Sequence, residues 1–121
     1  MSRATPEGGL AGATASGPKP VCPDFHAAIE TIGRRWSGAI LWALLDRPLY
    51  FSELSASVPG LSDRLLSARL RQLEAEDLIE RSVEVGTRPR VSYALSPKGA
   101  ELEPCMRELA DWALRWRERE R

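Results

Sequence analysis

Large apolar side chains are rare in the first twenty residues and frequent in the rest of the chain. Besides Met1, Leu10 is the only one before Val21, and small or polar residues with glycine and proline make up most of this stretch. Such a composition buries too little surface to offset the entropy of ordering the chain. We therefore expect a disordered arm at 1–20 and a single folded domain at 21–121.

Two helices are predicted at the start of the folded part. Apolar residues recur at helical spacing from Phe25 to Ile32 and Gly33 then interrupts the pattern, so the first helix is short. The second helix begins near Trp36 and is apolar on nearly every side, which predicts a buried central helix. The breakers at 46–48 end it.

A short helix, a tight turn and a longer amphipathic helix are predicted next. Ser52 is expected to cap the short helix, which must stop before Pro59. Ser62 is then a good N-cap for the longer helix. Its apolar residues fall at positions i, i+4 and i+7, so they form one buried stripe. The stripe consists of Leu66, Leu70 and Leu73.

The apolar period changes from 3.6 to 2 after Leu78, which predicts two strands. Their alternating apolar residues are Ile79, Val83 and Val85 in the first strand and Val91, Tyr93 and Leu95 in the second. The segment 86–90 between them contains glycine and proline together with Arg88 and Arg90. The pair is therefore expected to be a hairpin with a basic tip.

Ser96 and Pro97 are the residue types expected at the N-cap and first position of a last helix. The apolar residues of this helix are spaced 4, 3, 4 and 3, a heptad pattern that is typical of pairing with a second helix. Pro104 is expected to kink its first turns. The predicted dimer interface consists of Leu102, Met106, Leu109, Ala113 and Trp116.

This order of elements is typical of a winged helix-turn-helix, mainly α-helical with a small β-hairpin wing, here with an extra C-terminal dimerisation helix. In that fold the helix after Ser62 lies in the major groove of double-stranded DNA, and the wing reaches the neighbouring backbone. Cations on both elements would neutralise phosphates. The candidate DNA-binding residues are Ser62, Arg64, Leu65, Ser67, Ala68, Arg69 and Arg71 on the helix and Arg88 and Arg90 on the wing.

These candidates also have ordinary structural explanations. The helix arginines could form a solvated face, and those of the wing a solubilising turn. Leu65 could touch a thymine methyl or be incidental, and Asp63 could suit the first helical turn or accept a hydrogen bond from a cytosine amine. A winged helix can also bind protein instead of DNA, so a protein-interaction module is the alternative function.

Composition restricts the other possibilities. Seventeen Lys and Arg balance seventeen Asp and Glu in 121 residues, so charge-based binding must be local. Two cysteines, Cys22 and Cys105, are too few for a disulfide scaffold and lack the spacing of a zinc site. The lone His26 has no nucleophile motif beside it, so we expect no enzyme, metal or cofactor. Neither a secretory signal nor a membrane span is evident, so a cytoplasmic location is the default.

Several short motifs follow one another in an unbroken order along 21–116. They are Cys22-Pro23, Ile32 to Trp36, Phe51 to Leu54, Pro59 to Ser62, Leu66, Arg69 to Glu74, Asp77 to Ile79, Pro89 to Tyr93 and Leu95 to Gly99. With these motifs the chain resembles the HxlR-type transcriptional regulators, relatives of the MarR class. The resemblance implies a bacterial, homodimeric DNA-binding regulator whose first and last helices form the dimer contact. Two-fold symmetry would then match an inverted-repeat operator.

Two features could sense an effector. Cys22 lies at the start of the first helix, where backbone N–H groups favour a thiolate, and the resemblance implies an N-terminal Cys-Pro that senses electrophiles or oxidants. The alternative role of Cys22 is that of a small apolar residue at the edge of the core. Trp42 and Trp112, with space left by Gly38 and Ala39, could line a pocket for a planar aromatic effector, or could belong to the core or dimer interface.

Overall fold

The computed structural model describes residues 17–120, and the chain divides into two units between Thr31 and Ile32. The elements in the described range are α1 (Pro23–Gly33), α2 (Ser37–Ala43), β1 (Leu49–Tyr50), α3 (Phe51–Ser57), α4 (Asp63–Ala75), β2 (Ile79–Glu84), β3 (Arg90–Leu95), α5 (Pro97–Ala100) and α6 (Glu103–Arg119). Helices with a small antiparallel sheet and a terminal helix confirm the predicted winged helix-turn-helix class.

Most of helix α1 belongs to the first unit, and its predicted short length is confirmed. The Cys22 carbonyl accepts a hydrogen bond from the N–H of His26 (3.0 Å), so Cys22 directly precedes the first turn. Phe25 and Ile29, four residues apart and hence on one face, are both exposed. The arm predicted at 1–20 lies largely outside the described residues, and its boundary at Val21 stays a prediction.

The core of the second unit lies between α2, α3 and α4. The predicted stripe of α4 is confirmed, because Leu66, Leu70 and Leu73 are all buried. These leucines belong to one cluster with other apolar residues, among them Ile40, Leu41, Leu44, Leu54 and Leu61. Close packing of this cluster leaves α4 only one face toward solvent.

Helix α2 is less buried than its sequence predicts. Ile40 and Leu41 are buried, but Ala39 and Trp42 are exposed. The expectation of a helix buried on nearly every side is therefore wrong. The reason is that a helix of seven residues at the edge of a small core has neighbours on only one side.

The helix caps are set by local hydrogen bonds. The Ser62 side chain accepts from the N–H of Leu65 (3.1 Å), which confirms it as the N-cap of α4. Helix α3 is capped by Tyr50 and not by Ser52, which is the second residue of that helix. The Tyr50 N–H donates to the carboxylate of Glu53 (2.8 Å), and this hydrogen bond, with a second from Arg47, holds the pKa of Glu53 below its ordinary value.

The sheet has three strands in the order β1-β3-β2, all antiparallel. The sequence indicated the hairpin of β2 and β3 but not β1, because two residues are too few to show a period of 2. Strand β2 is an edge strand in which only Ile79 is buried. Val83 and Val85 are exposed, so the apolar alternation predicted the strand but does not mark buried positions there, and Val85 lies just beyond the strand.

Helix α4 ends in a turn that fixes where β2 begins. The N–H of Leu78 donates to the carbonyl of Leu73, and that of Asp77 donates to the carbonyl of Glu74, each at 3.0 Å, which forms a Schellman motif. Asp77 takes the left-handed conformation (φ 62°) that this motif requires, and aspartate tolerates it better than most residues. The Ser96 hydroxyl donates to the Asp77 carbonyl (2.6 Å) and locks the turn.

The predicted last helix is divided into α5 and α6. Ser96 accepts from the N–H of Gly99 (3.0 Å) and Pro97 follows it, as expected for the start of α5. A continuous helix would need the N–H of residue 104 to donate to Ala100, and Pro104 has no N–H. Pro104 therefore lies in the first turn of a new helix, and the expected kink is wrong because the helix is interrupted at residues 101–102 instead.

No helix within residues 17–120 is long and apolar enough to cross a lipid bilayer.

Gly99 is the glycine whose replacement should destabilise the fold. An added Cβ would overlap the backbone carbonyl of Leu78, which cannot move away as a flexible side chain could. We expect Gly99→Ala to lower the free energy of unfolding by about 1–3 kcal/mol or more. In urea unfolding, the matched Gly86→Ala, where no atom lies within 4 Å of the added Cβ, should stay within about 0.5 kcal/mol of the wild type. Equal losses in both variants would contradict the close contact.

Candidate nucleic-acid interface

The solvent face of α4 carries two accessible cations. Arg64 and Arg71 are exposed, and neither makes a side-chain hydrogen bond or ion pair within residues 17–120. Ser67 and Ala68 are half-buried beside them, and the Ser62 hydroxyl is engaged at the start of the helix. Guanidinium groups held on a rigid helix and free of protein partners can approach phosphates or base edges.

Two other residues of the same helix have structural roles. Leu65 is half-buried and packs against the core, which explains an apolar side chain at this position without a DNA contact. Asp63 accepts a hydrogen bond from the Ser55 hydroxyl (2.8 Å), which joins the start of α4 to α3. Neither role was indicated by the sequence, because each partner lies on another element.

Arg69 is already bonded within the protein. Its Nε donates to the carbonyl of Arg35 (2.8 Å), and Nη1 donates to the side chain of Gln72 (2.9 Å). It is half-buried, unlike Arg64 and Arg71. The sequence placed Arg69 among the DNA-contacting cations, but its guanidinium has far less freedom to reach a nucleic acid.

The two wing arginines differ from one another. Arg88 lies in the exposed loop between β2 and β3, without a side-chain partner in the described part of the chain. The sequence placed Arg90 in that loop, and this placement is wrong, because Arg90 opens β3 opposite Glu84. Its guanidinium carbon lies 3.4 Å from the centre of the Tyr50 ring, a cation–π contact. Of the two wing arginines, Arg88 alone lies at the tip and has no side-chain partner within residues 17–120.

Tyr50 fixes the tip end of the wing, a role that the sequence did not reveal. Its hydroxyl donates to the carboxylate of Glu84 (2.7 Å), and this hydrogen bond raises the pKa of Tyr50 above its ordinary value. The same ring lies under Arg90. One side chain from β1 thus contacts both strands of the wing near its tip. No local pattern could have found it, since Glu84 is 34 residues away.

A groove of about 530 Å³ runs between α4 and the sheet. Its lining residues are Phe51, Ser67, Arg71, Glu74, Arg81, Val91 and Tyr93. Arg81, on β2, is exposed and was not among the predicted DNA-binding residues. It adds a cation to the groove between the helix and the wing, which Arg71 and the acidic Glu74 also line.

The predicted sensor residues lie on exposed surfaces. Cys22 is a free, exposed cysteine. Gly38 is half-buried, Ala39 is exposed, and Trp42 and Trp112 are each about half exposed. The guanidinium of Arg107 lies 5.6 Å from the Trp42 ring centre, so a side chain from α6 already lies over that ring.

The heptad stripe of α6 has two parts. Met106 is buried in the core of its own chain and Leu102 packs against that core, so both have contacts within the chain and their role in a dimer interface stays a prediction. Leu109 is 58% exposed and Trp116 is 46% exposed, and Ala113 between them is exposed as well. The first part of the stripe anchors the helix, while the second part is an uncovered apolar face.

Comparison with known proteins assigns the chain to a family. The family described as HxlR-like helix-turn-helix matches residues 31–121. The HTH-type transcriptional regulator YvaP of Bacillus subtilis is 40% identical over 96 residues, covering 79% of this chain and 89% of YvaP. The HTH-type transcriptional regulator YodB of the same organism is 36% identical over 93 residues, covering 77% of this chain and 83% of YodB.

Solved structures agree with this likeness. The reduced form of YodB from B. subtilis superposes with a TM-score of 0.70 at 35% identity, covering 78% of this chain and 92% of YodB. A quinone-bound YodB structure gives 0.68 at 34% identity, covering 78% and 99%. The redox regulator HypR in its reduced form gives 0.74 at 29% identity, covering 78% and 93%.

Both sequence relatives are regulators of transcription, which favours DNA over protein as the ligand of the winged helix. The predicted resemblance is confirmed by the family match over three quarters of the chain. This protein belongs to the HxlR family of helix-turn-helix regulators and is a DNA-binding transcriptional regulator.

Proposed function

We propose that the protein is a homodimer that binds an inverted-repeat operator through α4 and the wing and releases it when Cys22 reacts with an electrophile. The observation that carries the DNA-binding part is the pair Arg64 and Arg71, which have no side-chain partner among the described residues and lie on the free face of a helix whose other face is core. Arg88 supplies the contact from the wing. The remaining polar candidates, Ser62 and Ser67, flank this surface.

Dimerisation is supported by the uncovered part of the α6 stripe. Leu109, Trp112 and Trp116 are large apolar residues within two turns of one helix, and each is about half exposed. A single chain would leave this face exposed to water. In a two-fold dimer, the same residues of each chain pack against each other, so both faces are covered. Symmetric placement of two α4 helices then requires half-sites about 34 Å apart, or a multiple of that distance.

The switch is supported by the exposure of Cys22 at the start of α1 and by the quinone-bound structure of the relative YodB. The Cys22 thiolate would add to a ring carbon of a quinone and form a carbon–sulfur bond. The electron pair of the ring double bond shifts through the conjugated system to a carbonyl oxygen, which takes up a proton, and the hydrogen on the attacked carbon is then lost as a proton while the second carbonyl oxygen gains one. The product is a hydroquinone thioether, so no further reductant is needed. An adduct on α1 would alter the separation of the two winged lobes.

Salt dependence tests the DNA contacts. A duplex selected by the wild type from a random pool serves as the probe. Arg64→Ala and Arg88→Ala should each weaken binding and lower the slope of log affinity against log salt by about one, because each removes a phosphate contact. Arg115→Ala on α6, also exposed, is the matched control and should change neither quantity. An unchanged slope in the double variant would favour the protein-interaction module.

Sedimentation tests the dimer. We expect the wild type to be a dimer at micromolar concentration. Leu109→Glu should raise the dissociation constant of the dimer on the order of 100-fold, because each of the two chains would bury one carboxylate in the interface. Arg115→Glu, on the same helix but outside the heptad stripe, should leave the dimer intact. A wild-type monomer at these concentrations would refute the proposal.

Cysteine variants test the switch. Treatment with p-benzoquinone should lower wild-type affinity for the selected duplex by roughly 5- to 150-fold, the usual range of allosteric coupling. Cys22→Ser should abolish this response, while Cys105→Ser, the other exposed cysteine, should retain it. Trp42→Ala should also retain it, since Trp42 belongs to the predicted pocket for an aromatic effector and not to the sensor thiol. If Cys22→Ser responds like the wild type, Cys22 is not the sensor.

A further inference from the structure

The short segment Arg34–Trp36, here called the corner, joins α1 to α2 and is fastened to α4 at two points. The guanidinium of Arg34 pairs with both carboxylate oxygens of Glu76, at 3.1 and 3.4 Å. The carbonyl of Arg35 accepts the 2.8 Å hydrogen bond from Arg69. Both contacts are between residues more than thirty positions apart.

The two fastening points lie along one face of α4. Arg69 and Glu76 are seven residues apart, which is nearly two full turns, so they lie on the same side of the helix about 10 Å from each other. A single contact would add little restraint on the direction of the helix axis beyond that of the buried leucines, whereas two separated contacts restrain its angle further. The Gln72 side chain, between them, holds the Arg69 guanidinium in position (2.9 Å).

The corner keeps a conformation that is unfavourable by itself. Trp36 adopts the left-handed backbone region (φ 77°), which is uncommon for a residue with a bulky side chain. Among the described residues, the buried Trp36 Nε1 and Ser37 Oγ have no hydrogen-bond partner. Such local costs persist only where the surrounding contacts enforce the geometry, and they occur most often at functional sites.

We propose that the corner acts as a bracket that sets the angle of the candidate recognition helix α4 on DNA. Arg34, Arg69 and Glu76 are then positioning residues and do not contact the nucleic acid. Arg69 raises DNA affinity through the Arg35 carbonyl, in contrast to Arg64 on the same helix, which is free of protein partners in the described range.

Glu76 gives the clearest test, because electrostatics and positioning predict opposite signs. Removing a negative charge near DNA would, by charge alone, tighten binding to phosphates. The bracket predicts that Glu76→Gln weakens binding to the selected duplex by roughly tenfold, the scale of one misplaced base contact. Glu74→Gln, two residues earlier on α4 and also acidic, is the matched control and should bind equally or more tightly. Glu76→Gln binding at least as tightly as Glu74→Gln would overturn the bracket.

Arg69 gives a second, independent readout. Arg69→Ala should weaken binding, yet leave the slope of log affinity against log salt unchanged, whereas Arg64→Ala lowers that slope by about one. The loss should be larger on the selected duplex than on a random duplex, because base contacts depend on helix angle more than phosphate contacts do. A slope that falls by about one in Arg69→Ala would make Arg69 a phosphate contact and contradict its positioning role.

Charge reversal separates positioning from damage to the fold. Arg34→Glu and Glu76→Arg should each lower affinity, and the double variant, which restores an ion pair with reversed polarity, should recover part of it. Urea unfolding of every variant shows whether the domain is intact under the binding conditions. If the variants remain folded and the double variant binds no better than the weaker single variant, the ion pair does not set the helix angle.

Discussion

Burial of the leucine stripe on α4 is the constraint on which the other features depend. Leu66, Leu70 and Leu73 are buried, and each such side chain contributes about 1.5–3 kcal/mol of hydrophobic stabilisation. Because side chains on a helix have fixed angular positions, burying this stripe forces Arg64 and Arg71 toward solvent. The same interaction that stabilises the fold therefore orients the candidate DNA-binding surface.

The wing depends on a different interaction, between β1 and the hairpin. Strand β3 lies in the middle of the sheet, paired with Leu49 and Tyr50 on one side and with β2 on the other. Tyr50 adds a hydrogen bond to Glu84 and a cation–π contact with Arg90, one partner from each strand of the hairpin. An edge hairpin with few buried side chains gains most of its order from such contacts. Arg88 at the tip is therefore carried by a pre-positioned hairpin.

Helix α6 combines attachment to its own chain with an uncovered apolar face. Arg107 bonds to Glu103 (2.7 Å) and to Asp46 (3.3 Å), and Met106 is buried beside it. These contacts fix the direction in which the second half of the helix projects, and with it the exposed Leu109 and Trp116. A balanced overall charge suits this arrangement, because two copies can approach without strong long-range repulsion.

The sequence by itself determined the features that arise from neighbours along the chain. Helical spacing gave the α4 stripe, hydroxyl side chains at Ser62 and Ser96 gave two helix starts, and alternation gave the hairpin. The order of these elements, with the family motifs, was sufficient for the fold class and for DNA binding. It also named Arg64, Arg71 and Arg88 as accessible cations.

Only the tertiary structure decided which of these side chains are already engaged. Arg69 bonds to Arg35 and Arg90 stacks on Tyr50, while Leu65 packs into the core, although each matched the pattern of an exposed contact. No local sequence pattern indicated strand β1 or the contacts of the corner either. The physical reason is that periodicity and capping report interactions within a few residues, whereas these contacts join positions tens of residues apart and exist only after the chain has folded.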